Sequence, residues 1–481
     1  APPTNLAETL VLEAFARTLA RPDLGIDDDF FDVGGNSIKA VAVVAALASD
    51  FRISANDLFR LRTARAIARE IPLRRGDLQG RLVALVAEIR EGEATEPLDH
   101  LTTELDAYRR RYKPYAGLSI HQRMAYRDVL LTGATGFLGA YLLRDLLTHT
   151  DAKVHVAVRA KSRHDAWDRL AAKMAAYFGP ELLEAQGKRV RILPGDLSDP
   201  QLGLERGTYD ALSRTIDCVI HAAALTKHYG DHAMFIKANV DATKHVLELA
   251  RRAGCDVNVI STVSVGAGDI PGRAHALFTE FDCDIGQVAT NHYVRTKLMA
   301  EKAVLELRDQ GLACNIFRVG FLTGDSQTLR FQDNADDSGF VQTLKSYVAL
   351  GKIPELQLAQ SFCPVNEVSD AILRLMGASS LLSQTHHIDR VIDPDAAVRL
   401  LDRARVEPLP EAEFFEWLAA HISDPKIGPA ATAMLLHEGL LDRGGSTATV
   451  TLREKSDRLL ARAGFTWSPV RREQIWTLIT G

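Results

Sequence analysis

VLLTGATGFLGAYLLRDLL, residues Val129 to Leu147, is the stretch whose reading decides the fold. It opens on the apolar run Val129-Leu130-Leu131, the pattern of a buried strand. Glycines follow at Gly133, Gly136 and Gly139. Leu138, Leu142, Leu143 and Leu146 then repeat at helical spacing. Strand, glycine-rich turn and helix in that order bring unpaired backbone N–H groups to the positive end of a helix, which suits a pyrophosphate. The glycines allow the tight turn and a close approach of the backbone. The spacing is G-x-x-G-x-x-G, not the common G-x-G-x-x-G fingerprint. A purely structural turn would show the same glycines, but the flanking strand and helix favour a ligand site.

Length bounds the rest. At 481 residues the chain exceeds one ordinary core, so two or three domains are expected. A formal net charge of −5 gives no reason to expect nucleic acid or an anionic membrane as partner. No apolar run is long enough to span a bilayer. The start, APPTNLAETL, has no signal-peptide pattern and reads as the cut end of a longer polypeptide. Cys218, Cys255, Cys283, Cys314 and Cys363 are scattered, without metal-ligand spacing, which points to reduced thiols in a cytoplasmic protein.

Outward from the glycine turn, strands and helices alternate. Val154–Val158, Val190–Leu193, Cys218–His221, Val257–Ile260 and Asn315–Val319 read as strands, with helical segments such as Asp165–Phe178 and Asp241–Ala253 between them. This predicts a doubly wound, Rossmann-like parallel sheet over residues 126–325, with ligands at the carboxyl ends of its strands. Residues 326–481 become mostly helical, with a strand returning near His386–Val391, and form a substrate lobe. Residues 1–75 read as a small helical unit, with an acidic loop before Gly34-Gly35-Asn36-Ser37. Residues 76–125 are charge-rich and read as a linker, with a helix broken near Glu91–Pro97.

Two constellations carry chemistry. At the end of the second strand, where an acidic residue would bond a ribose 2′-hydroxyl, stands Arg159, with Lys161, Arg163 and Arg169 nearby. Cations there fit a 2′-phosphate, so NADPH is expected over NADH. Asp196-Leu197 is expected beside the adenine, and His221 to Ala224 along the ribose and phosphates. Tyr293 and Lys297 stand one helical turn apart on one face, after Ser261-Thr262-Val263-Ser264 at a strand end. A neighbouring ammonium is expected to lower the phenol pKa, so that the tyrosine serves as a proton donor. From the residues alone Ser261, Thr262 or Ser264 could supply the companion hydroxyl. On the same basis Ser37 is a helix cap accessible at a helix start.

Residues 129 to about 390 resemble the extended short-chain dehydrogenase/reductase family. Within it they are most similar to the terminal thioester reductase domains of nonribosomal peptide synthetases and carboxylic acid reductases. The supporting stretches are TGATGFLG at Thr132–Gly139, HAAA at His221–Ala224, STVSV at Ser261–Val265 and YVRTK at Tyr293–Lys297. RVGFLTGDS at Arg318–Ser326, GKIP at Gly351–Pro354 and CPVNEVSDAI at Cys363–Ile372 add to them. DVGGNSI at Asp32–Ile38 resembles the 4′-phosphopantetheine attachment site of four-helix peptidyl carrier domains.

The resemblance implies a catalytic set of Thr262, Tyr293 and Lys297. It implies cofactor contacts from Gly133, Thr135, Gly136, Phe137, Leu138, Gly139, Arg159, Arg169, Asp196, Leu197, Ala222, Ala223, Ala224 and Lys297, and pantetheine attachment at Ser37. The implied activity is NADPH-dependent release of a carrier-bound peptidyl or acyl thioester as an aldehyde, with further reduction to an alcohol left open. The implied partners are upstream synthetase domains of the same polypeptide, a phosphopantetheinyl transferase and the thioester substrate. A Dieckmann-type non-redox cyclase fused to a carrier, or a catalytically dead docking module, is the alternative; relatives of the cyclising kind lack the tyrosine that Tyr293 supplies here.

Overall fold

The computed structural model describes residues 2–48, 50–71, 77–93, 99–118, 120, 125–226, 231–289, 291–333, 339–355, 361–392, 406–424, 426–437 and 447–480. Seven apolar runs form one sheet: β1 (Asp128–Thr132), β2 (Lys153–Val158), β3 (Val190–Pro194), β4 (Cys218–His221), β5 (Asp256–Thr262), β6 (Cys314–Val319) and β7 (Thr385–Ile388). Their order is β7-β6-β5-β4-β1-β2-β3, and every pairing is parallel. The expected strands are present, including the one returning from the C-terminal lobe. Alternate residues face opposite sides. Val129, Leu131, Val154 and Val156 join one core, while Leu130, Val219, Val257 and Val259 join another. Burial on both faces is why these runs read as continuously apolar. The strand order reverses between β1 and β4, which opens a crevice over their carboxyl ends.

The N-terminal unit has helices α1 (Leu6–Leu19), α2 (Ser37–Leu47), α3 (Ala55–Leu61) and α4 (Ala64–Glu70). Phe15, Phe30, Val44, Leu58 and Ile67 are its fully buried centre. Its acidic loop is tied down by ion pairs of Asp29 with Arg62 and Asp27 with Arg65. In α2 the positions Ala40, Val41, Val43, Val44 and Leu47 are all buried, more than a single helical stripe. The extra face has a partner, since α2 also packs on a helix of the C-terminal lobe, Gly428–His437.

The stretch expected as a linker carries α5 (Asp77–Glu93) and α6 (Asp99–Tyr112). α5 runs through Gly92, and residues 94–98, part of the expected break, lie outside the described residues. Leu82 of α5 belongs to the same core as the N-terminal unit and the C-terminal lobe. The Tyr108 hydroxyl of α6 donates to the buried Glu280 at 2.9 Å and accepts from the Lys455 N–H at 2.9 Å. Further along come α7 (Phe137–His149), α8 (Arg163–Phe178), α9 (Arg206–Thr215), α10 (Ala242–Ala253) and α11 (His292–Asp309). Short parallel ribbons, not anticipated from the sequence, join Leu322–Thr323 to Cys363–Pro364, Lys352–Pro354 to Glu407–Leu409 and His275–Phe278 to Ala448–Thr451. Two- to four-residue strands carry too little periodicity to be seen in a sequence.

Candidate active site

The glycine turn between β1 and α7 builds the floor of the crevice. Gly133 has φ +79°, and a Cβ there would come within 2.6 Å of the Ala222 backbone. A side chain at Gly139 would collide with the Gly133 carbonyl. Gly136 caps α7 with no side-chain hydrogen bond to its first turn, so the N–H groups there face the crevice without a protein cap. That is the fit expected for a pyrophosphate. Thr135, Phe137 and Leu138 lie on this turn and the first turn of α7.

His221 braces the turn. Its Nδ1 lies 2.8 Å from the Thr132 hydroxyl and its Nε2 lies 3.0 Å from the Thr243 hydroxyl. Thr243 donates to the Asn239 carbonyl at 2.6 Å, so Nε2 carries the proton and Nδ1 accepts from Thr132. Burial, and next the Lys297 charge, push this imidazole down to about 3, so it is neutral. The Ala223 N–H donates to Thr132 in turn, which ties the Ala222–Ala224 strand exit to the glycine turn.

At the carboxyl ends of β2 and β3 a cleft of about 830 Å³ is lined by Arg159, Lys161, Arg163, Arg169 and Asp196. Arg169 donates to the Arg159 backbone carbonyl, which brings both cations to one place. Burial works to raise the Asp196 pKa. Hydrogen bonds from Ser198, with the Arg159 and Lys237 charges, outweigh it and hold the carboxyl below its usual range. The neighbouring Leu197 carbonyl is 3.0 Å from His245 Nδ1.

The second half of the crevice holds Thr262, Tyr293 and Lys297. Thr262 ends β5 and caps the following turn, accepting the Ser264 N–H at 3.2 Å. Its hydroxyl shares a hydrogen bond with the Tyr293 phenol. Ser261 points elsewhere, its hydroxyl buried with no hydrogen-bond partner among the described residues. Among the three candidate hydroxyls, Thr262 is the one joined to the tyrosine. Lys297 is buried and donates to the Ile260 carbonyl at 2.8 Å, leaving two of its three N–H donors for a ligand.

One expectation is corrected. Lys297 does not lower the phenol pKa: burial pushes Tyr293 up to about 12, against the pull of the Thr262 hydrogen bond. The ammonium is turned to the Ile260 carbonyl instead, and burial brings Lys297 itself down to about 8. Tyr293 therefore stays protonated near neutrality, as a donor.

Asn239 was missed in the sequence. It lies 1% exposed in a wide helical turn, Ile236–Asp241, before α10. Its side chain accepts the Leu225 N–H at 2.7 Å and donates to the Leu225 carbonyl and, at 3.0 Å, to Thr296 of α11. It fastens the exit of β4 to the helix of Tyr293. A lone asparagine inside an apolar helical stripe was the available signal.

The capping role expected of Ser37 is also corrected. The cap of α2 is Asn36, whose Oδ1 accepts the Lys39 N–H at 2.9 Å. Ser37 is the first residue of the helix, half-buried, and its hydroxyl has no hydrogen-bond partner among the described residues.

Residues 131–372 match the NAD-binding family described as male sterility protein, and residues 9–71 match the family described as phosphopantetheine attachment site. The chain belongs to the first of these families, whose match spans half of it. It is 29% identical over 475 residues to a linear gramicidin synthase polypeptide of Brevibacillus parabrevis, covering 96% of this chain and 9% of that protein. It is 30% identical over 367 residues to the L-2-aminoadipate reductase large subunit of Penicillium chrysogenum, covering 73% and 26%. The chain thus spans under a third of these curated relatives. Among solved structures, a thiolation-reductase di-domain of an archaeal non-ribosomal peptide synthetase superposes with TM-score 0.72 at 23% identity, covering 100% of this chain and 98% of that one, and shares its fold. The terminal R domain of the myxalamid pathway superposes with TM-score 0.62 at 28% identity, covering 77% and 96%. Among the described residues no helix is long and apolar enough to cross a membrane, and no His, Cys, Asp and Glu group is fit for a metal.

Proposed function

We propose that this chain is a carrier–reductase pair that releases a pantetheine-bound peptidyl or acyl thioester by NADPH-dependent reduction to an aldehyde. The observation that carries it is the Thr262–Tyr293 hydrogen bond at the carboxyl end of β5, with Lys297 anchored one turn along α11. Relatives named as an aminoadipate reductase and as a terminal R domain support the reaction class.

The glycine turn and α7 would hold the pyrophosphate of NADPH, Arg159 and Arg169 its 2′-phosphate, and Lys297 its ribose. NADPH, when bound, would supply the hydride. As negative charge develops on the thioester carbonyl oxygen, Thr262 donates a hydrogen bond and Tyr293 gives its proton; the hemithioacetal so formed then loses its hydroxyl proton and breaks its C–S bond, which frees the pantetheine thiol and leaves the aldehyde. A phenol held near 12 keeps its proton until the substrate oxygen becomes basic enough to take it. Ser37 carries the pantetheine arm, which an upstream synthetase module loads with substrate. Tethering makes delivery effectively intramolecular, so tight binding of the acyl group is unnecessary.

Tyr293→Phe tests the reading. NADPH binding is expected to persist, while reduction of a coenzyme A thioester, followed by NADPH consumption and aldehyde product, falls by roughly 10²–10⁴-fold, the range for a positioned acid. Retention of most activity would remove Tyr293 from the chemistry and revive a non-redox release.

A further inference from the structure

Further along α11 from Lys297 lies a buried ion pair that makes no contact with the reacting groups. Glu301 and Arg318 are each 1% exposed, with Nη2 to Oε2 at 2.6 Å and Nε 3.1 Å from both carboxylate oxygens. Arg318 Nη1 donates to the Thr279 carbonyl at 3.2 Å and to His387 Nε2 at 3.1 Å, and Nη2 donates to the Asp282 carbonyl at 2.7 Å. His387 Nδ1 lies 2.6 Å from the Leu452 carbonyl and donates there, so its Nε2 is an acceptor. All five guanidinium N–H groups are therefore engaged, and Phe278 stacks on the guanidinium at 4.5 Å. Such an arginine has no freedom of position, and the carboxylate it grips has none either.

Glu301 is one helical turn beyond Lys297 and two beyond Tyr293 on the same face of α11. Arg318 stands on β6 directly beside Ser261 of β5, and the next pair along the register is Val319 with Thr262. The ion pair thus bolts the helix of Tyr293 and Lys297 to the strand end that carries Thr262. Buried ion pairs of this kind add little stability over apolar residues of the same volume, which favours a role in placement.

We propose that Glu301, clamped by Arg318, is a positioning residue of the reduction: it keeps Tyr293 opposite Thr262 and supplies the counter-charge of the Lys297 ammonium. This rests on the roles given above to Thr262, Tyr293 and Lys297. Glu301 on its own helix is the charge that acts on Lys297, neutral His221 on β4 feels the Lys297 charge, Tyr293 stands one turn back along α11, and Arg318 on β6 lies beyond Glu301. The Glu301 charge opposes the effect of burial on Lys297, whose proton is lost above about pH 8.

The test is the pH profile of kcat/KM of the full chain with a coenzyme A thioester. Glu301→Gln keeps shape and removes the charge. Loss of an opposite charge one helical turn away on the same face moves a pKa by about one unit or more, and for a lysine the move is downward. The alkaline fall in activity is expected to begin about one pH unit lower, with kcat reduced and KM for the thioester little changed. That variant leaves Arg318 buried without its partner, so the pair Glu301→Gln with Arg318→Gln is the second arm. With both charges gone, the shift is expected to be smaller and in the same direction. An unmoved alkaline limb in both, or a change in KM alone, overturns the proposal. Tyr293→Phe in the same assay separates the two levels: if it stays active the underlying mechanism fails, whereas an inactive Tyr293→Phe with an unmoved Glu301→Gln limb sinks only the positioning role.

Discussion

Two adjacent substitutions in the carrier, Asn36→Ala and Ser37→Ala, are expected to differ in their effects on stability. Asn36 is the α2 cap, its Oδ1 holding the Lys39 N–H at 2.9 Å. Removing such a cap costs about 1 kcal/mol. Ser37 caps nothing, and its hydroxyl is desolvated without a hydrogen-bond partner among the described residues. A buried unsatisfied hydroxyl carries a penalty of about 1–3 kcal/mol, which alanine removes together with few contacts. Ser37→Ala is therefore expected to be neutral or stabilising, and the two variants to differ by about 1–3 kcal/mol or more. Urea unfolding at unchanged slope reads the difference as a shift in midpoint. Function inverts the order. With a phosphopantetheinyl transferase and coenzyme A, wild type and Asn36→Ala gain the pantetheine mass and Ser37→Ala gains none. Reduction of a free coenzyme A thioester survives in all three, because the crevice over the sheet is untouched. A Ser37→Ala protein less stable than Asn36→Ala would refute the capping assignment, and one that still gains the mass would move the attachment site elsewhere.

Two further expectations concern the cofactor. Arg159→Ala leaves its backbone carbonyl, and so the contact with Arg169, in place; it is expected to weaken NADPH by roughly 10- to 100-fold and NADH hardly at all, the loss for one charged hydrogen bond. Equal weakening of the two in fluorescence titrations would displace the 2′-phosphate from this cleft. Gly133→Ala forces an alanine to φ +79° and drives its Cβ onto the Ala222 backbone, so a stability loss of at least about 1–2 kcal/mol and weakened binding of NADPH and NADH alike are expected. Normal thermal stability and affinity in that variant would show that the turn is looser than its geometry indicates.

Some of this molecule was legible in its sequence because the physics involved is local. Val129–Leu131 is apolar at consecutive positions because β1 is covered on both faces, and that can be read without knowing the partners. Gly133 and Gly139 are glycines because the backbone closes on itself there, and Tyr293 and Lys297 share a face because helical spacing requires it. Arg159 at the end of β2 follows from the same local counting. Tertiary structure alone decided the rest. Thr262, not Ser261, meets Tyr293 because successive residues of β5 point to opposite faces, and only the packing of α11 decides which face the tyrosine occupies. Lys297 turns to the Ile260 carbonyl, and burial, which no periodicity encodes, sends the phenol pKa up where charge counting sent it down. The second buried face of α2 became intelligible only with the lobe helix Gly428–His437 against it. Asn239 with Thr296, 57 residues apart, and Arg318 with Glu301, 17 apart, are partners because strands and helices separated along the chain are stacked in space. Periodicity determines which side of an element is buried; what that side meets depends on the packing of every other element.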